Sequence, residues 1–101
     1  MSTFEDQLGR LASANIELLP TTEMRTHFVF ERGGFVCLVE RRGEGFGSIG
    51  APGLMTERGF APLVWRDGSP YFQSKGFEQR AEPEQVEALR GFSRDLKAAL
   101  A

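Results

Sequence analysis

A glycine-rich segment is the part of this chain that most resembles a phosphate-binding motif. Residues 45–50 read Gly-Phe-Gly-Ser-Ile-Gly, which matches the GxGxxG pattern, and they follow a predicted strand. In dinucleotide-binding proteins a helix opens at the third glycine, so that its N-terminus faces the pyrophosphate. Residues 51–53 read Ala-Pro-Gly, which disfavours a long helix there. We therefore interpret the segment as a structural or recognition loop, with contact to an anionic group as the alternative. In that alternative the ligand-binding residues are Gly45, Gly47, Ser48 and Gly50.

The single histidine is the natural candidate for a general base, since histidine performs that role most often. Opposite Glu40 in the first predicted hairpin, His27 would have a carboxylate beside it. A catalytic triad also needs a nucleophile within hydrogen-bond reach, and nothing in the sequence places a serine or Cys37 there. We interpret His27 and Glu40 as an ordinary cross-strand pair and expect no catalytic residue. One histidine and one cysteine are too few soft ligands for a typical structural zinc site, so we expect no metal and no cofactor.

Three arginines, Arg25, Arg41 and Arg42, are expected at the open end of the first hairpin, where a strand start meets a strand end. Such a cluster could bind a carboxylate or a phosphate, because guanidinium groups bind these anions in bidentate fashion. The alternative is a solvated sheet edge, where charge discourages unwanted strand pairing. We favour the solvated edge.

Composition is typical of a globular protein and bounds the classes of partner. The chain has 101 residues, 41% of them hydrophobic, with a formal charge of −2 and no block of like charge. Nucleic acid is therefore not an expected partner, because phosphate binding requires a concentrated basic surface. The sequence contains no apolar run of membrane-spanning length and no signal-peptide pattern, and its single cysteine suits a reducing compartment. We expect one domain, residues 1–101, in the cytoplasm, without membrane contact.

The elements around these residues begin with a hairpin that is apolar on both faces. Phe28 and Phe30 alternate with Val29, and residues 35–39 are apolar at every position. An unbroken apolar run indicates that both faces of the strand are covered. If residues 33–34, both glycine, form a primed turn, then Phe30 pairs with Cys37, Val29 with Leu38 and His27 with Glu40. If residues 32–33 form the loop, Arg25 pairs with Glu40 instead. Both registers place Phe28, Phe30, Cys37 and Val39 on one face.

The rest of the chain predicts a second hairpin and two helices. Ser2 and Glu5 have the spacing of a capping box, and an apolar stripe follows, formed by Phe4, Leu8, Leu11 and Ala12. Residues 16–19 are expected to form a short strand or the approach to one. An irregular glycine-rich loop is expected over 43–59, with a short strand near 46–49, and strands 60–66 and 71–77 flank a turn at 67–70. Pro83 begins a final helix with a second stripe, formed by Val86, Leu89, Phe92, Leu96 and Leu100.

The predicted fold is α+β: an antiparallel sheet of four or five strands, built from two hairpins, with N- and C-terminal helices packed on one face. The opposite face then needs a cover, and a second copy of the chain is the simplest one. The alternative cover is the glycine-rich loop, which could fold back over this face. The residues expected at the interface are Val29, Val36, Leu38, Trp65 and Tyr71.

We therefore expect a small non-enzymatic protein-interaction or regulatory module, forming a homodimer or binding another protein. The alternative is a small-ligand-binding protein or minor enzyme that contacts an anionic group through the glycine-rich loop 43–53.

Overall fold

Among the residues that the structure describes, seven antiparallel strands form one sheet, in the order in which they occur along the chain. The structure, a computed structural model, describes residues 3–20, 26–57 and 59–101. Helix α1 (Phe4–Ser13) precedes the sheet and helix α2 (Pro83–Leu100) follows it. The strands are β1 (Glu17–Leu19), β2 (His27–Arg32), β3 (Phe35–Arg42), β4 (Gly45–Thr56), β5 (Gly59–Arg66), β6 (Ser69–Ser74) and β7 (Phe77–Arg80). The predicted α+β class with an antiparallel sheet and terminal helices is confirmed, but the predicted count of four or five strands is wrong.

Part of the difference in strand number comes from a tight turn inside one predicted strand. The segment predicted as a single strand over 71–77 is interrupted at Gly76, which has φ 78°. A glycine adopts this left-handed conformation without steric penalty, so the chain reverses and β7 pairs back onto β6. The short strand expected before Pro20 is present as β1 and pairs with β2.

The larger difference is β4, which occupies most of the segment expected to be an irregular loop. Its register with β3 shifts twice, where two residues of β4 face one residue of β3, as in a β-bulge. Its glycines allow close backbone approach: a Cβ atom added at Gly50 would lie 3.2 Å from the carbonyl oxygen of Leu38. At Gly53 it would lie 2.1 Å from the carbonyl oxygen of Ala61. Glycine here permits tight strand packing, whereas the sequence pattern alone indicates a loop.

Of the two registers considered for the first hairpin, the structure has the one with the turn at residues 33–34. Gly33 and Gly34 have φ 62° and 90°, the left-handed values of a primed turn. Phe30 pairs with Cys37, and His27 pairs with Glu40. The second hairpin turns at Asp67 and Gly68, which also have positive φ.

The two helices begin as their capping patterns allow. The capping box of α1 lies one residue later than predicted: the Thr3 hydroxyl accepts from the Asp6 amide at 3.1 Å, and the Asp6 carboxylate accepts from the Thr3 amide at 3.4 Å. Ser2 lies outside the described residues. In α2 the Gln85 side chain accepts from the Glu82 amide at 2.8 Å, and Pro83 stands in the first turn. No helix of the described residues is long and apolar enough to cross a membrane.

One continuous core lies between the helices and one face of the sheet. The α2 stripe is buried as predicted at Val86, Leu89, Phe92 and Leu96, with Ala99 buried and Leu100 packed beside it. Of the α1 stripe only Leu11 is buried, while Phe4 and Leu8 are 44% and 38% exposed. The sheet contributes buried residues from four strands: Phe30, Cys37, Val39, Ala61 and Phe72. The predicted face of the first hairpin is thus the helix-covered face.

Candidate functional site

The sheet face opposite the helices carries a row of apolar side chains. Directly paired residues share a face, and so do residues two apart in one strand. Leu19 pairs with Val29, Val29 with Leu38, and Val64 with Tyr71. The same alternation adds Val36, Met55, Phe60 and Pro62. We call these nine residues the open face: Leu19, Val29, Val36, Leu38, Met55, Phe60, Pro62, Val64 and Tyr71.

The described helices do not contribute to the open face. The buried residues of α1 and α2 cluster with the other side of the sheet, and that cluster does not include Val29 or Val36. Val29 and Val36 are nonetheless only 5% and 1% exposed, so neighbouring side chains on the same face shield them. Met55 is 50% exposed, and the other members are half-buried. The open face therefore has a buried centre and an accessible apolar margin.

A depression of about 330 Å³ lies within the open face, over the first half of β4. Its lining is His27, Leu38, Glu40, Ser48, Ile49, Gly50, Ala51, Phe60 and Pro62. The structure thus brings three polar candidates, His27, Glu40 and Ser48, to one place. The Thr26 hydroxyl lies 2.8 Å from Nδ1 of His27, and Glu40 Oε1 lies 3.3 Å from Nη2 of Arg42. His27 is therefore partnered by Thr26, and Glu40 by Arg42. In a catalytic histidine that is oriented by a carboxylate, the two groups would instead contact each other.

The GxGxxG residues lie in a strand, and no helix opens after them. Gly45, Gly47 and Gly50 have no positive φ, and β4 continues to Thr56. A dinucleotide site needs a helix N-terminus facing the pyrophosphate, and this segment does not provide one. Ser48 and Gly50 remain exposed beside the depression.

Of the three arginines considered above, the structure describes Arg41 and Arg42 and does not bring their side chains together. Arg25 lies outside the described residues. Arg41 and Arg42 are consecutive in β3, so their side chains leave opposite faces of the sheet. The Arg41 guanidinium lies 4.1 Å from the centroid of the Phe28 ring, on the helix side, while Arg42 forms an ion pair with Glu40. These contacts are those of a charged sheet end.

The two aromatic interface candidates are also separated. Tyr71 belongs to the open face, and the Arg66 guanidinium stacks 4.6 Å from its ring centroid. Trp65 is 54% exposed, and strand alternation places it on the side opposite to Val64. Of the five predicted interface residues, Val29, Val36, Leu38 and Tyr71 share the open face, and Trp65 does not.

Sequence reasoning missed Arg32, which joins three elements on the helix side. Its Nη1 donates to the carbonyl oxygen of Ala14 at 3.1 Å and to Oδ2 of Asp95 at 2.9 Å. Its guanidinium also lies 5.5 Å from the Phe92 ring centroid. The hydrogen bond from Arg32 lowers the pKa of Asp95 below its ordinary value. No local pattern marks this arginine, because its partners are 18 and 63 residues away.

Cys37 lies in the core, where its thiol is 3.2 Å from the carbonyl oxygen of Gly50. Burial raises the pKa of this thiol to about 11. A thiol with such a raised pKa is almost entirely protonated at neutral pH, and it is therefore a poor nucleophile. Within residues 3–20, 26–57 and 59–101, no group of three or more His, Cys, Asp or Glu side chains could hold a metal ion.

Comparison of the chain with protein-family models, with curated proteins and with solved structures finds no significant match.

Proposed function

We propose that this protein is a non-enzymatic interaction module that forms a homodimer through the open face. The observation that carries the proposal is the strand register, which places nine apolar residues on the side of the sheet that the described helices leave uncovered. Contiguous apolar surface of this kind usually marks a binding site. The His27 and Glu40 side chains in the depression have partners of their own, so they do not argue for catalysis.

A second copy fits this surface in kind. Sheets commonly pack face to face about 10 Å apart, with the side chains of both inner faces interdigitating. Closed two-fold dimers are the commonest soluble oligomers, so self-association is the simplest cover.

The test is the oligomeric state of a matched pair of variants. Met55 and Trp65 are almost equally exposed, at 50% and 54%, but only Met55 belongs to the open face. Met55→Glu should dissociate the dimer, because the new carboxylate would be buried without a partner. Trp65→Glu should leave it intact. Val29 and Val36 are unsuitable for this purpose, since a charge there would disturb the protomer itself.

Sedimentation equilibrium at tens of micromolar protein measures the mass of the species in solution. The unmodified protein and Trp65→Glu should show twice the 11.2 kDa chain mass, and Met55→Glu should show the single chain mass. A single 11.2 kDa species for the unmodified protein would overturn the homodimer.

A second candidate function uses the depression, whose lining includes Ser48 and Gly50 but also the Glu40 carboxylate, which opposes the binding of an anion. In this case a small anionic ligand binds beside the glycine-rich segment 43–53. Titration with phosphate and with a nucleotide, followed by amide chemical shifts of residues 45–50, tests it. Unchanged shifts up to millimolar ligand would remove this candidate.

A further inference from the structure

Half of β4 pairs on one side only. The ladder between β4 and β5 runs from Gly53 opposite Pro62 to Thr56 opposite Gly59. The earlier residues of β4, from Gly45 to Pro52, pair with β3, while residues 63–66 of β5 pair with β6. The two strands therefore separate after four paired residues. Within the described residues, the segment 45–51 is left as a strand edge inside the sheet.

This inner edge lacks the charge and the shortness that protect the outer edges. Folded proteins blunt free strand edges with charge, with very short strands, with β-bulges or with a covering element. The outer strand β1 has three residues, and the outer strand β7 exposes Glu78 and Arg80. The inner edge 45–51 has no charged residue, and Ser48, Gly50 and Ala51 are exposed along it. Of the protecting devices it has the two register shifts of β4, which shorten the regular stretch that can pair. An uncharged edge of this kind is suited to pairing with a short strand.

The depression adds a place for a side chain next to the edge. Its lining joins residues 48–51 of the edge to the apolar Leu38, Phe60 and Pro62, and it also includes the polar His27 and Glu40. A peptide added as a strand obtains affinity from main-chain hydrogen bonds and specificity from pockets for its alternate side chains. The strand edge 45–51 and the depression are both present here and lie next to each other.

We propose that the inner edge 45–51 binds a short extended segment of another polypeptide, which adds as a strand and places an apolar side chain in the depression. A single extended segment fits better than the sheet edge of a folded copy, because the β5–β6 hairpin continues on the far side of the separation. The two register shifts of β4 interrupt its regular geometry, so the bound segment is short. The segment carries uncharged, alternating apolar residues, matching an edge without charge.

The peptide site does not depend on the homodimer, although the two share Leu38 and the depression. A dimer that buries the open face would compete with the peptide. The binding test therefore uses both the unmodified protein and Met55→Glu. If the dimer covers the peptide site, only Met55→Glu binds the peptide; if there is no site, neither protein binds it.

The probe is the uncharged capped peptide acetyl-Thr-Val-Thr-Val-Thr-Val-amide, in which apolar residues alternate, with a control peptide methylated on alternate backbone nitrogens. Methylation removes amide donors and leaves the side chains in place, so it should abolish strand addition. In ¹⁵N-labelled protein the amides of residues 45–51 should shift with the unmodified peptide alone. Ala51→Lys should weaken binding by about tenfold or more, because an edge lysine opposes strand pairing. The matched control, Ala88→Lys on the exposed side of α2, should bind as the unmodified protein does.

Three results would overturn the proposal. One is unchanged shifts in both proteins up to millimolar peptide. The second is equal binding of the methylated peptide, which would show side-chain capture without strand addition. The third is shifts confined to β1 or β7. Peptide binding by a protein that sediments as an 11.2 kDa monomer would support the peptide site while removing the homodimer.

Discussion

Three glycines of β4 are important because they have no Cβ atom. Gly47, Gly50 and Gly53 all stand where the neighbouring backbone leaves little or no room for a Cβ atom. The tightest approach is at Gly53, where an added Cβ would meet the Ala61 carbonyl oxygen at 2.1 Å and the Pro62 Cα at 2.6 Å. Such contacts are with backbone, which cannot rotate away as a flexible side chain can. Gly53 therefore sets the distance at which β4 and β5 pair.

Gly53→Ala should destabilise the protein by about 1 to 3 kcal/mol or more, since overpacking forces backbone shifts. Gly9 is the matched control, because it lies in α1 with nothing within 4 Å of an added Cβ. Gly9→Ala should stabilise the protein by roughly 0.5 to 1 kcal/mol through its better helix propensity. Urea unfolding of the two variants measures both changes. Equal stability of the two variants would contradict the close approach at Gly53.

The contacts of Asp95 allow a prediction about its pKa. Its pKa lies below the ordinary 3.8, chiefly because Arg32 donates a hydrogen bond to its carboxylate. A depressed pKa in the folded state means that the pair contributes stability at pH above 3.8, and that this contribution is lost as the pH falls through the lower folded value. In Arg32→Met the Asp95 pKa should rise toward 3.8, as read from its carboxyl chemical shift during acid titration. An unchanged Asp95 pKa in that variant would refute the assigned cause.

Among the elements, α2 contributes the largest share of the helix-side core. Its buried positions recur at helical spacing and meet Phe30, Cys37 and Phe72 of the sheet. Phe92 and Leu96 are almost completely buried. The polar contacts of α2, from Arg32 to Asp95 and from Arg10 to the carbonyl oxygen of Ala99, lie at the margin of this core.

Phe92→Ala should reduce the free energy of unfolding by about 3 to 5 kcal/mol, through lost burial and the cavity that remains. Chemical denaturation monitored by circular dichroism measures the loss. Ala98→Ser, at an exposed position of the same helix, serves as the control and should change stability by no more than about 0.5 kcal/mol. A loss well under 1 kcal/mol for Phe92→Ala would contradict the burial of this ring.

At the scale of the whole molecule, the sheet has one face covered by helices and one apolar face without helical cover among the described residues. This asymmetry is the physical basis of the proposed homodimer, because burying the open face would remove apolar surface from water without changing the protomer core. The proposed dimer would also link stability to protein concentration, since only folded chains would associate.

The thermal midpoint of the unmodified protein should therefore rise when the protein concentration is raised about tenfold. The midpoint of Met55→Glu should stay constant over the same range. Differential scanning calorimetry at matched scan rates compares the two. A midpoint independent of concentration in the unmodified protein would argue for a monomer.

The sequence by itself determined the parts of the fold that depend on neighbouring residues. Pro83 and the helical spacing from Val86 to Leu96 predict α2, since both signals lie within one helix. The two glycines at 33–34 predict the first turn but leave two registers open, and the structure has the one that places His27 opposite Glu40. Strand alternation divides the hairpin residues between the same two faces in either register. It places Val29, Val36 and Leu38 together, whereas the prediction for Tyr71 rests on its position beside the second turn.

Only the tertiary structure decided the role of the glycine-rich segment and the composition of the candidate site. A glycine that permits flexibility and a glycine that permits close approach look the same in a sequence. The difference lies in whether another strand, such as β5 at Gly53, comes within contact distance. The depression, the inner edge of β4 and the contacts of Arg32 arise likewise between segments distant in the chain. Their geometry depends on where the sheet twists and separates, and no local pattern of residue types encodes that position.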